Sequence, residues 1–240
     1  MEINEIPNVK AAAIKLKRPK FVVDNPLKTG ILDPMPSMHS FIVFAGPSRS
    51  GKTSLALSLL TNRSFYKRAF DKIYVFSPIH SLNSISDNPL LQLPDEQIYS
   101  DLNFETLTDV MNKIKENALV DMDSLIILDD YASQLKDKQI SKLLYEAVCN
   151  RRHYRLSIWM LVQTYKSIPL SNRKTINVLI TFKMKNRSEA KSIAEEMSDL
   201  NIHQFQELQK YIFDNTYNFM MLNRDTDCIY KNFNEIKCDL

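Results

Sequence analysis

Phe41-Ile42-Val43-Phe44-Ala45-Gly46-Pro47-Ser48-Arg49-Ser50-Gly51-Lys52-Thr53-Ser54 is the stretch whose reading decides the fold. An apolar run ends in Gly46, and Gly46 to Thr53 matches G-x-x-x-x-G-K-[ST] at every fixed position. The spacing has a chemical reason. A loop that wraps a polyphosphate with its backbone N–H groups cannot be crowded by side chains where the glycines stand. Lys52 then meets the β/γ-phosphates as a point charge, and the Thr53 hydroxyl ligates Mg²⁺. Ser54-Leu55-Ala56-Leu57-Ser58-Leu59-Leu60 reads as the following helix, whose N-terminal dipole favours an anion. A chance match is the competing explanation. Against it, strand and helix lie where the motif needs them, and two of the chain's three glycines fall inside this loop. The expected nucleotide-binding residues are Gly46, Pro47, Ser48, Arg49, Ser50, Gly51, Lys52, Thr53 and Ser54.

Outward from this loop, 240 residues leave room for one α/β domain with a substantial core. A 44% hydrophobic and 25% charged composition is that of an ordinary globular chain. Cys149, Cys228 and Cys238 are widely spaced and match neither a zinc site nor a disulfide framework. No apolar run approaches membrane-spanning length, and the N-terminus lacks a signal-peptide core, which points to a soluble intracellular protein. The net charge of +3 is unevenly placed. From Asn150 to Lys191 ten Lys and Arg face one acid, Glu189, so that segment is +9 and the remainder −6. Such a concentration suggests a polyanion partner, nucleic acid first; a solvated face with incidental bias is the alternative.

Residues 1–38 hold five prolines and little periodicity, and read as an extended arm beside a domain spanning 39–240. Met38–Ala45 is expected as the first core strand and Lys72–Ser77 as a second, followed by a polar loop to about Asp101. Leu107, Val110, Met111 and Ile114 have helical spacing, as do Ile140, Leu143, Leu144, Ala147 and Val148. Leu156–Thr164 and Ile176–Phe182 read as further buried strands. Helices near 188–199 and 201–211 and a terminal hairpin flanking Asn223–Asp227 complete the chain. This β/α alternation predicts a mainly parallel sheet with helices on both faces.

Ser124-Leu125-Ile126-Ile127-Leu128-Asp129-Asp130 is a strand with an acidic tip. With a phosphate loop upstream it has the Walker B arrangement: Asp129 for the Mg²⁺ shell, Asp130 to orient or deprotonate the attacking water. A third strand ends in Gln163. The set points to the additional-strand class of P-loop NTPases, with Gln163 sensing the γ-phosphate or its water; a strand-end amide bonded to backbone is the plainer reading.

In order along the chain, Gly46–Thr53, Ile126–Asp130, and Arg152-His153 entering a strand that ends in Gln163-Thr164 resemble the FtsK–HerA superfamily of DNA-pumping ATPases. Phe76-Ser77-Pro78 and Ile168-Pro169 also fit that pattern, which covers roughly 39–190. The short chain and double Asp are most similar to the genome-packaging ATPases of poxviruses, other large DNA viruses and virophages. Asp130 stands where cellular members often have Glu. The resemblance implies an ATP- and Mg²⁺-dependent ring motor, pentameric or hexameric, that drives double-stranded DNA into a capsid and docks on vertex proteins. It implies residence in the host cytoplasm, a viral factory or the virion. It also implies that Arg152 is an arginine finger acting in trans, with Arg151 and Arg173 as alternatives. Lys174, Lys183, Lys185 and Arg187 are the candidate DNA contacts. Three other readings stay open: a small P-loop kinase, another helicase-like translocase, and a nucleotide-switched binding protein or scaffold.

Overall fold

A computed structural model describes residues 31–237 apart from positions 84, 86, 87 and 185. The apolar stretches become strands β1 (Phe41–Ala45), β2 (Lys72–Phe76), β4 (Ser124–Asp129), β5 (Leu156–Val162) and β6 (Val178–Phe182). A two-residue β3 (Ile98–Tyr99) joins them, and β7 (Phe219–Asn223), β8 (Cys228–Lys231) and β9 (Asn234–Ile236) follow. Among the described residues they form one nine-stranded sheet in the order β3-β2-β4-β5-β1-β6-β7-β8-β9. Every pairing from β3 across to β6 is parallel, and β7, β8 and β9 close one edge as an antiparallel meander. No helix among the described residues is long and apolar enough to cross a membrane.

Side chains alternate along each strand, so the central strands are apolar on both faces and need cover on both. On one face lie α3 (Phe104–Leu119), α4 (Lys138–Cys149), α6 (Arg187–Met197) and α7 (Ile202–Ile212), packed on Val43, Ile126, Ile158, Met160 and Leu179. Their apolar stripes are the ones the spacing predicts: Leu107, Val110, Met111 and Ile114 of α3 are all buried. The other face takes α1 (Lys52–Thr61) and the irregular chain around Tyr66 and Leu90, over Ile42, Phe44, Ile127 and Trp159. Trp159 anchors this layer, its ring edge-on to Tyr66 at 5.1 Å and tilted against Phe44 at 5.7 Å. Two single-turn helices, α2 (Ile79–Leu82) and α5 (Leu170–Arg173), sit in connections.

Several boundaries shift for local reasons. β1 starts at Phe41, not Met38, because His39 adopts φ 61 and turns the chain. There its N–H donates to Ser157 Oγ and its ring meets Asp123 at 2.8 Å. β6 starts at Val178 because the Asn177 side chain is spent on Phe41 N–H and Asp225. The terminal hairpin gains a third strand, β9. The arm expected over 1–38 lies outside the described residues as far as position 30. Its last part packs on the domain, with Met35 and Met38 buried and Tyr66 donating to the Pro36 carbonyl at 2.6 Å.

Candidate active site

Parallel strands deliver their C-terminal tips to one end of the sheet, where open α/β folds form clefts. At that end Gly46–Gly51 leaves β1 and turns into α1. Gly46 must lack a side chain, since a Cβ would stand 2.9 Å from Phe182 Cβ on the neighbouring strand. Gly51 has φ 102, a left-handed conformation that glycine adopts without penalty. The loop is tied down at its start, with Gly46 N–H donating to Val162 O at 3.1 Å. Lys52 bridges it, Nζ donating to the carbonyls of Gly46 and Pro47 at 2.7 and 2.9 Å.

A cleft of about 570 Å³ opens here, lined by Ser48 to Ser54, His80, Ser81, Ile85, Asp129, Asp130, Leu161 and Gln163. β5 lies between β1 and β4, with Ala45 level with Val162 and Leu161 level with Asp129. The loop, Gln163 and the acidic pair thus stand side by side on three adjacent strands. A small kinase would place the acidic strand directly beside the phosphate-loop strand; this sheet does not.

The two aspartates differ in surroundings. Asp129 is half-buried, and desolvation pushes its carboxyl up to about 6. The hydrogen bond from Ser77 opposes that rise, the neighbouring Asp130 adds to it, and Lys52 opposes it. Ser77 Oγ lies 3.3 Å from Asp129 Oδ2. Burial likewise lowers the Lys52 pKa, with Asp129 and Asp130 acting against it. Asp130 is exposed at φ 61 and accepts from Gln163 Nε2 at 2.9 Å. A carboxylate only accepts, so the Gln163 amide must turn its NH₂ toward it, leaving Oε1 and a second N–H for the cleft.

Residues expected from sequence at the loop, at Asp129, Asp130 and Gln163 therefore converge. Arg152 does not join them: the 151–155 turn precedes β5, at the opposite end of the sheet. The basic segment does not form one surface either. Lys174 lies before β6 and Lys183 after it, so the strand's length separates Lys174 from Lys183 and Arg187. Lys185 lies outside the described residues. Lys183 and Arg187 line a groove of about 540 Å³ with Lys210, at the cleft's end of the sheet. Sequence reading noted the Phe76-Ser77-Pro78 strand end but gave Ser77 no role at the site, and it missed His80 and Ser81.

A parallel sheet with an extra strand between phosphate loop and acidic pair, and a polar residue at that strand's tip, defines an additional-strand P-loop ATPase. Residues 35–212 match the family model described as Poxvirus A32 protein, and the chain belongs to that family. Among curated proteins none matches. Of solved structures, the chain is similar to B204, the DNA-packaging ATPase from Sulfolobus Turreted Icosahedral Virus, with TM-score 0.63 and 18% identity over 82% of this chain and 98% of that one. It is similar to the genome packaging NTPase B204 of Sulfolobus turreted icosahedral virus 2 in complex with ATP-gammaS, with TM-score 0.61 and 15% identity over 82% and 98%. EssC (ATPases 2 and 3) from Geobacillus thermodenitrificans matches with TM-score 0.53 and 13% identity, over 83% of this chain and 41% of that one. At such identities the likeness is one of fold, and that fold is the one the FtsK–HerA resemblance implied.

Proposed function

We propose that this chain is a viral genome-packaging ATPase that hydrolyses ATP to move double-stranded DNA, working as a ring of identical subunits. The observation that supports this best is the cleft itself, in which Lys52, Thr53, Asp129 and the bonded pair Asp130–Gln163 face one space on a chain of the poxvirus A32 family. Measuring ATP hydrolysis with and without duplex DNA, alongside phosphotransfer to nucleosides, tests it. Phosphotransfer without DNA-stimulated hydrolysis would favour a kinase.

The donor set suits Mg²⁺, a hard cation that takes oxygens, keeps several waters and needs only one or two protein ligands. Among the described residues no group of three His, Cys, Asp or Glu offers an all-protein cage. The Thr53 hydroxyl and Asp129 carboxylate are the oxygens that would hold the ion beside the phosphates. When bound, the cation neutralises charge developing on the β- and γ-phosphate oxygens. A triphosphate in the loop offers Lys52 a stronger acceptor than two carbonyls, and its ammonium then meets the β/γ bridge. Asp130 accepts a proton from the water that attacks the γ-phosphorus, while ADP leaves with the bridging oxygen. Gln163 holds Asp130 in place and presents its remaining amide atoms to that water or to a γ-phosphate oxygen.

Asp130→Asn is expected to bind nucleotide nearly as wild type while hydrolysis falls by about 10²–10⁴, the usual worth of a positioned base. Binding titration and steady-state hydrolysis on one preparation check this. A wild-type rate would remove Asp130 from the mechanism.

Duplex binding is expected to be largely indifferent to sequence and to weaken steeply with salt, because counterions leave as Lys and Arg meet phosphates. The groove at Lys183, Arg187 and Lys210 is the surface most suited to this, being basic and at the cleft's end of the sheet. Lys183→Glu and Arg187→Glu should each weaken binding on all sequences alike and reduce the salt slope by about one. Affinity equal at low and physiological salt would sink this assignment. Docking on capsid vertex proteins, and a place in the host cytoplasm, viral factory or virion, belong to the same proposal.

A further inference from the structure

We propose that Tyr217 is the stacking platform for the nucleobase of the bound nucleotide, an inference that rests on the phosphate-loop reading above. Sheet order sets the direction of the polyphosphate. Asp129 and Gln163, at the tips of β4 and β5, stand on one side of β1, and β6 and β7 stand on the other. The reacting phosphate must face the first side, so the nucleoside leaves the loop toward the second.

Two aromatic rings border the loop there. A Cβ built on Gly51 would lie 3.5 Å from Tyr217 Cδ1 and 3.6 Å from Phe182 Cε1. Phe182 is buried in the core against Phe219, at 6.0 Å between ring centroids. Tyr217 belongs to no core cluster and is 68% exposed. A lone exposed aromatic is ordinary. An exposed aromatic against a phosphate loop is not, because its free face is open to whatever leaves that loop.

The backbone points the same way. Tyr217 has φ 71, which is uncommon for a bulky side chain and persists only where the surroundings enforce it. The enforcing contacts are on either side. Asp214 pairs with Lys231 at 2.9 Å and accepts from Asn218 Nδ2 at 2.7 Å. Asn218 in turn accepts from Asn232 Nδ2 at 3.2 Å. The turn between α7 and β7 is braced at both shoulders while the ring at its crest is left to solvent. Such strain clusters at ligand clamps. A planar, preset ring suits a base, since stacking uses the π-face that every base has.

The test compares wild type, Tyr217→Ala and Tyr217→Phe as full chains, by calorimetric titration with ATP-gammaS, GTP-gammaS and inorganic tripolyphosphate. Tyr217→Ala is expected to weaken both nucleotides by roughly 5- to 150-fold, the range for losing one base–aromatic stack. Tripolyphosphate binding should stay unchanged, and Tyr217→Phe should bind all three as wild type does. Equal weakening of nucleotides and tripolyphosphate would mean that Tyr217 only shapes the loop, and would overturn the inference. So would ATP-gammaS binding unaffected by Tyr217→Ala. Wild type that binds tripolyphosphate but gains nothing from the base would overturn the inference and leave the phosphate reading standing. Wild type that binds none of the three would overturn both.

Discussion

Lys52→Ala is expected to yield a folded protein whose ATP hydrolysis is lower by on the order of 10²–10³ or more, the loss seen when one preset donor to a developing negative charge is removed. No other cation among the residues lining the cleft replaces it, since Arg49 sits exposed at the outer tip of the loop with φ 63. The ammonium is also desolvated, which strengthens its interaction with a phosphate oxygen relative to the same contact in water. Folding should suffer little. Lys52 gives up only two hydrogen bonds to loop carbonyls, and one of these belongs to exposed Pro47. Hydrolysis at saturating ATP, with a thermal melt of the same sample, checks both halves. A rate within a few-fold of wild type would mean that the loop binds something other than a reacting triphosphate.

What the sequence made legible was local. Gly46–Thr53 announces itself because the loop, its strand and its helix are contiguous and the spacing is fixed by the phosphate it wraps. Asp129-Asp130 is legible only with that loop known: four apolar residues ending in two acids are a weak pattern alone, and the upstream phosphate loop is what makes them read as a buried strand with a charged tip. Gln163 could be placed at a strand tip, but its bond to Asp130 depends on β5 inserting between β1 and β4, a topological fact. Ser77 and Tyr217 are further from view. Ser77 meets Asp129 across 52 positions, and Tyr217 meets Gly51 across the sheet. Neither contact leaves a periodic trace. β3 and β9 escaped for another reason: Ile98-Tyr99 and Asn234-Glu235-Ile236 are too short and too polar to show alternation, and exist because a neighbouring edge was there to pair with. The basic stretch 150–191 misled in one respect. Charge that is continuous along the chain is split in space, because β6 carries the chain from one end of the sheet to the other between Lys174 and Lys183.

The same division bears on the arginines, and Arg152→Ala is expected to lower hydrolysis by about 10³–10⁵, the worth of an arginine finger in other P-loop enzymes. The turn 151–155 enters β5 at the end remote from the cleft, so Arg152 has no route to the nucleotide of its own subunit. If the proposed ring brings this turn to the next subunit's cleft, its guanidinium offsets charge on the transferring phosphoryl oxygens. The neighbouring arginines are less exposed. Arg151 is half-buried and donates to the Val148 carbonyl at 2.8 Å. Arg155 pairs with buried Asp123 at 3.1 Å, and Arg173 pairs with Glu196 at 3.1 Å while lying over the Tyr165 ring. Arg152 is the exposed one of the four. Mixing resolves the matter. Arg152→Ala subunits keep an intact phosphate loop and Lys52→Ala subunits keep the arginine, so each is inactive alone and together they should recover part of the ATPase rate. Recovery requires one subunit's arginine at another's nucleotide, which no role confined to folding or DNA contact provides. An Arg152→Ala protein that hydrolyses ATP normally, or mixtures that stay inactive although both variants assemble, would remove Arg152 from the active site.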